Sequence, residues 1–115
     1  MIDAELVPQV AARFKALSDA GRLRLLAALQ PGERSVGELA EAVGRAQPNV
    51  SQHLASLLRS GIVAARRQGN RAFYRIADPT VLRICDAVCD SLAAQGVDRR
   101  AAPGRTRSRR LGGER

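Results

Sequence analysis

Apolar residues recur at every third or fourth position along the first half of the chain, and this spacing is typical of amphipathic helices. It predicts a first helix over residues 3–17 and a second helix that begins after the capping residue Asp19 and ends before Pro31. A third, short helix is expected after Ser35, because Glu38 three residues later completes the pattern of a capping box.

A fourth helix is predicted over the stretch QPNVSQHLASLLRSG, which ends at Gly61. Pro48 is tolerated in the first turn of this helix, where no N–H donor is required. Four apolar residues are expected to face the core of the domain: Val50, Leu54, Leu57 and Leu58. A short turn that begins with Gly44 joins the third and fourth helices, so the pair predicts a helix-turn-helix.

Beyond the fourth helix, the runs IVAARR and AFYRIA contain β-branched and aromatic residues and flank the turn signal QGN. They predict a β-hairpin. A last helix is expected over residues 79–94, capped by Asp78 and stopped by Gly96. The predicted fold class is therefore mainly α with a small β-hairpin wing, in the order of a winged helix-turn-helix.

The fourth helix also carries short polar residues near its beginning, away from its apolar stripe. Those predicted to face solvent are Asn49, Gln52, His53 and Ser56, with Ser51 at the flank. The major groove of DNA admits an α-helix, and Asn or Gln can pair bidentately with adenine, while Ser and His can reach phosphates or base edges. This face is therefore a candidate for reading double-stranded DNA.

The formal net charge of +8 favours a polyanionic partner, and the distribution of the charge strengthens this interpretation. The predicted hairpin holds four cations within ten residues: Arg66, Arg67, Arg71 and Arg75. A basic wing of this kind suits contact with the DNA backbone or the minor groove.

Residues 1–97 are predicted to form the winged-helix domain, and residues 98–115 an arginine-rich tail. The tail has Gly, Pro and almost no apolar side chains, so it is expected to be disordered. It can act as a solubilising segment or as a non-specific arm for DNA phosphates. No apolar run is long enough to span a membrane and no signal-peptide pattern is present, so a cytoplasmic location without membrane contact is expected.

Three stretches occur in the order and at the spacing of a known family: FKALSDAGRLRLLAAL, NVSQHL followed by SGIV, and RRQGNRAFYRI. Over residues 6–92 the chain resembles the ArsR/SmtB family of bacterial winged-helix repressors. The resemblance implies a homodimer, formed mainly by the first and last helices, that binds an operator in double-stranded DNA and is released by an inducer. A dimer also agrees with the small size of the domain, which leaves apolar faces of its terminal helices uncovered.

The resemblance further implies which residues contact the operator. Those of the fourth helix are Gln47, Asn49, Ser51, Gln52 and His53, and those of the wing are Arg67 and Arg71.

Members of the family often sense metals or arsenite, so the potential ligand residues are of interest. The third helix contains no Cys, and the only His in the chain lies on the fourth helix. Cys85 and Cys89 remain, four positions apart on one face of the last helix. They either bind a thiophilic metal or arsenite, or form a redox switch, or act as small apolar fillers. A metal site would need further sulfur ligands from a partner chain or an external thiol.

An enzyme is not expected, because the chain has no Ser, His and Asp arrangement and no glycine-rich phosphate loop after a strand. No cofactor is predicted apart from the thiophilic metal or arsenite that would act as inducer. The open alternative to a repressor is a winged-helix architectural or protein-interaction module with non-specific DNA binding and structural cysteines. Such a module would bind random DNA as tightly as an operator.

Overall fold

The computed structural model describes residues 1–100 of the 115-residue chain. The chain divides into two compact units, Met1–Pro79 and a second that begins at Thr80. The predicted order of helices and hairpin is confirmed, and the fold is mainly helical with one small antiparallel sheet. Most of the predicted tail, residues 101–115, lies outside the described residues.

The first unit opens with a short 3-10 helix at Ala4–Leu6 and contains four α-helices and three strands. The helices are α1 (Val7–Leu17), α2 (Ala20–Leu29), α3 (Val36–Val43) and α4 (Gln47–Arg59), and the strands are β1 (Arg34–Ser35), β2 (Val63–Gln68) and β3 (Arg71–Ile76). The second unit holds α5 (Thr80–Ala94), which begins one residue later than predicted. Within residues 1–100, no helix combines the length and the apolar character needed to cross a bilayer.

The core of the first unit lies among α2, α3, α4 and the start of β2, which contact one another. Its most deeply buried side chains are Leu25, Leu26, Leu29, Leu39, Val50, Leu54, Leu57 and Ile62. The core is aliphatic, as expected for a chain with no Trp and three other aromatic residues. Because α4 contributes three of these side chains, its apolar side is buried and its polar side faces outward.

Side-chain caps fix where α2 and α3 begin, as the sequence predicts. The Asp19 carboxylate accepts a hydrogen bond from the backbone N–H of Arg22 at 2.9 Å. In α3 the capping box is complete, since Ser35 Oγ accepts from the backbone N–H of Glu38 and the Glu38 carboxylate accepts from the backbone N–H of Ser35. Gly44 then ends α3 with a φ of 69°, a conformation that favours glycine.

The sheet has the order β1-β3-β2, with both pairings antiparallel. Gln68 pairs with Arg71, so the hairpin turn consists of two residues, Gly69 and Asn70. Gly69 has a φ of 63° while Asn70 does not have a positive φ, which is the pattern of a type II′ turn. The hairpin was predicted, but the two-residue strand β1 was not.

One core prediction for α4 is wrong. Leu58 is 42% exposed, whereas Val50, Leu54 and Leu57 are buried as expected. Successive residues of an α-helix differ by about 100° in direction. Leu58 therefore lies about 100° round the helix from Leu57, at the edge of the apolar stripe.

Replacing Ser35 by alanine should lower the free energy of unfolding by about 0.5–2 kcal/mol, the usual cost of removing an N-cap side chain. Urea denaturation followed by circular dichroism measures the change. Ser18→Ala is the matched control, because the exposed Ser18 hydroxyl donates only to the carbonyl of Lys15. Equal stability losses in the two variants would contradict the capping role of Ser35.

Candidate nucleic-acid interface

The first turns of α4 present a continuous polar surface. Gln47, Asn49, Ser51 and Gln52 are all exposed, while Val50 between them is buried. The residue before the helix is Ala46, which provides no side-chain cap. The backbone N–H groups of the first turn therefore remain available to an anion such as a phosphate. The structure thus brings together four of the five α4 residues that were assigned to DNA.

The fifth of these residues, His53, is half-buried, so the prediction that it faces solvent is wrong. Only 24% of its side chain is accessible, and its Nδ1 is 3.7 Å from Oδ2 of Asp19. His53 is four residues from Leu57, so the two directions differ by only about 40° around the helix. His53 therefore lies at the flank of the buried stripe, beside the start of α2. Ser56 is also half-buried rather than exposed.

The wing arginines divide between the two faces of the hairpin. Arg66 pairs with Phe73 in the register, so Arg66 and Phe73 share one face with Arg71, which lies two residues from Phe73. The guanidinium carbons of Arg66 and Arg71 are 4.8 Å and 4.9 Å from the centre of the Phe73 ring. Arg67 lies on the opposite face, since it pairs with Ala72. The two wing residues assigned to DNA, Arg67 and Arg71, therefore point away from each other.

Arg66 and Arg71 also have polar partners within the domain. Arg66 donates to both carboxylate oxygens of Glu33, at 2.7–3.0 Å, and to Oε1 of Gln68 at 2.9 Å. Arg71 donates to Ser35 Oγ at 3.1 Å. Hydrogen bonding from Arg66 lowers the pKa of Glu33, and the carboxylate in turn raises the pKa of Arg66.

Arg67 differs from these two arginines. It is exposed, and none of the ion pairs within residues 1–100 involves it. Its charge is therefore not compensated by an ion pair, and it can meet a phosphate.

Sequence reasoning missed the partners of the wing arginines. Glu33 is 33 residues from Arg66, and nothing local connects the two positions. Their proximity follows from β1, the short strand that places the segment after Glu33 beside β3. One signal in the sequence was the position of Phe73 two residues from Arg71 on the same strand, which places a cation and a ring on one face and allows a cation–π contact.

The two cysteines lie on α5, four residues apart. Cys85 is half-buried and Cys89 is exposed. Partial burial, followed by the neighbouring Cys89 and Asp86, raises the pKa of the Cys85 thiol. In the described part of the chain, no three His, Cys, Asp or Glu side chains are grouped so that they could hold a metal ion. One chain therefore brings two thiols together without a third ligand.

Comparison with known proteins gives a consistent result. A family model described as bacterial regulatory protein, arsR family, matches residues 19–65, which include the whole of α2, α3 and α4. The transcriptional regulator KmtR of Mycobacterium tuberculosis is 44% identical over 95 residues, which cover 79% of this chain and 73% of that protein. A probable mercury resistance operon repressor of Streptomyces lividans is 45% identical over 75 residues, 64% of this chain and 60% of the repressor.

A solved structure agrees as well. The homodimeric winged helix-turn-helix DNA-binding domain of Mb0332 from Mycobacterium bovis superposes with a TM-score of 0.69 at 37% identity, over 86% of this chain and 91% of that one. The helices and strands described above therefore have counterparts in a domain that binds DNA.

Arg66→Gln should raise the pKa of Glu33 towards its usual range, with a residual lowering from the charge of Arg75. Because the folded-state pKa of Glu33 is lowered, its contribution to stability is present above the unfolded pKa and is lost as the pH falls through the folded pKa. The variant should therefore lose less stability on acidification than the parent. Titration of the Glu33 carboxyl carbon by NMR measures the pKa directly.

Arg67→Gln is the matched control for this titration, because it removes the same charge from the neighbouring position without touching Glu33. An equal rise in the pKa of Glu33 in both variants would contradict the specific pairing with Arg66.

Proposed function

The chain belongs to the arsR family of bacterial regulatory proteins, and we propose that it is a homodimeric transcriptional repressor that binds an operator in double-stranded DNA. The observation that carries this proposal is the exposed polar face at the start of α4, within a winged helix-turn-helix. An α-helix with short polar side chains on its outer face fits the major groove.

The proposed reading surface consists of Gln47, Asn49, Ser51 and Gln52. The amide side chains can pair with the N6 and N7 groups of adenine, and the serine hydroxyl can reach a base edge or a phosphate. The uncapped first turn of α4 adds backbone N–H groups for the adjacent phosphate.

The wing adds affinity that depends on charge rather than on sequence. Arg67 is exposed and takes part in none of the ion pairs within residues 1–100, and we assign it to the DNA backbone. Arg71, on the opposite face of the hairpin, is the second proposed backbone contact, with its guanidinium held by Phe73 and Ser35. Each phosphate contact of this kind weakens with increasing salt, because bound counterions are released from the DNA.

A second copy of the chain would cover apolar surface in both units. In the second unit, Val88 and Leu92 on α5 are 52% and 44% exposed, and in the first unit Leu6 and Phe14 are exposed as well. Mb0332, with 37% identity, is a homodimer. A two-fold dimer would present two copies of α4 about 34 Å apart, one turn of the DNA helix.

The proposed inducer is a thiophilic metal, arsenite or an oxidant that acts at Cys85 and Cys89. Two thiols four residues apart on α5 suit a soft ligand, and a two-fold dimer would contribute four. The related Streptomyces lividans protein is named as a probable mercury resistance repressor. Because the pKa of Cys85 is raised, binding of a metal would release a proton and strengthen as the pH increases.

Gln52→Ala should weaken binding to the chain's own upstream DNA by about 1–3 kcal/mol and leave binding to random duplex nearly unchanged, because it removes a base contact.

Arg67→Ala should weaken binding to both DNAs alike and reduce the magnitude of the log-salt slope by about one unit, because it removes a phosphate contact. Fluorescence anisotropy at several salt concentrations distinguishes the two effects.

Gln30→Ala, at the exposed glutamine after α2, is the control for loss of an amide side chain outside α4. All variants should keep the circular dichroism spectrum and the dimer. An equal effect of Gln52→Ala on both DNAs would remove α4 from base readout, and an unchanged slope in Arg67→Ala would remove that residue from the phosphate contact.

Cys85→Ser and Cys89→Ser should bind the operator normally but fail to release it with a thiophile that releases the parent protein. Serine preserves the volume of the side chain and is a much poorer ligand for soft metals. The measurement is operator release by arsenite, cadmium, zinc, peroxide and polysulfide. If none of these releases the parent, and the serine variants instead lose about 1–3 kcal/mol of dimer stability, the cysteines are packing residues.

A further inference from the structure

The single histidine of the chain does not face outward with the polar residues beside it. Its Nδ1 is 3.7 Å from Oδ2 of Asp19. A Cβ atom added to Gly21 would lie only 2.8 Å from its Nε2 and 3.1 Å from its Cδ2. Both ring nitrogens of His53 therefore face the first turn of α2, and neither faces the exposed polar side of α4.

We propose that His53 is a positioning residue for DNA recognition, which fixes α4 on the N-terminal turn of α2 instead of contacting the operator itself. The proposal rests on the DNA-binding function assigned to α4. His53 follows Gln52 directly, so a shift of α4 at His53 would also move the side chain proposed to read bases.

Asp19 links the two helices by interacting with both. Its Oδ2 accepts the backbone N–H of Arg22 at 2.9 Å, which caps α2, and the same oxygen is the one nearest to His53. The backbone hydrogen bond from Arg22, with a further contribution from the charge of His53, lowers the pKa of Asp19. The carboxylate therefore stays ionised beside the imidazole at neutral pH.

Gly21 makes this contact possible. Glycine inside a helix costs about 1 kcal/mol relative to alanine, so an alanine at this second position of α2 would ordinarily stabilise the protein. Here the added Cβ would lie closer to the imidazole ring than real Cβ atoms do, and 3.1 Å from Oδ2 of Asp19, so the ring must shift. Glycine at position 21 thus leaves the space that the His53 ring occupies.

A double-mutant cycle on operator affinity tests the proposal, with the variants Gly21→Ala, His53→Ala and the combination of both. Gly21→Ala should weaken operator binding by about tenfold, because the displaced imidazole shifts α4. In the His53→Ala background the same change should have an effect of less than about twofold, because the smaller side chain leaves room for the Cβ. Additive effects, or a Gly21→Ala variant with parental affinity, would overturn the proposal.

Gly37→Ala is the matched control. Gly37 is the second residue of α3 as Gly21 is of α2, but its added Cβ would make an ordinary contact, 3.6 Å from Nε2 of Gln47. Operator affinity should therefore stay within about twofold of the parent, since no side chain must move.

Asp19→Asn serves as an independent variant if Gly21→Ala does not fold. Asparagine also caps helices well, so the start of α2 is retained while the charge facing His53 is lost. Operator affinity should fall in the parent background and not in His53→Ala; a fall of equal size in both would contradict the positioning role. If Gln52→Ala and Arg67→Ala leave DNA binding unchanged, the proposed function itself fails. If those two variants weaken binding as expected but the effects of Gly21→Ala and His53→Ala are additive, only the role of His53 is rejected.

Discussion

The burial of one side of α4 is the constraint on which the rest of the first unit depends. Val50, Leu54 and Leu57 are almost completely inaccessible, and α4 contacts α2, α3 and β2 through this side. Because the apolar stripe fixes the rotation of the helix about its axis, it also determines that Asn49 and Gln52 face outward. The buried residues of α4 thus determine which side chains the proposed reading surface presents.

Not every arginine of the wing offers a free charge to a partner. Arg66 is neutralised by Glu33, and both Arg66 and Arg71 lie over the ring of Phe73. These contacts restrict two long side chains that would otherwise sample many rotamers, so Arg71 would lose less entropy in its proposed contact with DNA. The charge of the exposed Arg67 on the other face is not compensated by an ion pair within residues 1–100.

Local patterns in the sequence were sufficient for the helices, the capping box of Ser35 and Glu38, and the Gly69–Asn70 turn, because each of these depends on residues within a few positions of one another. The features that were missed depend on distant pairs. The contact of His53 with Asp19 and the ion pair of Arg66 with Glu33 require the tertiary fold. The family resemblance assigned His53 to DNA together with its neighbours and did not indicate that its side chain would lie against α2.

Ser35 connects the helix-turn-helix to the hairpin. It starts α3, pairs with Phe73 in the sheet and accepts a hydrogen bond from Arg71. The middle of β3 is therefore attached to the start of α3, and a displacement of the hairpin would disturb the strand pairing and the hydrogen bond to Ser35. For the proposed inducer, this connection favours a change in the spacing or angle between the two protomers over a change of shape within one winged helix.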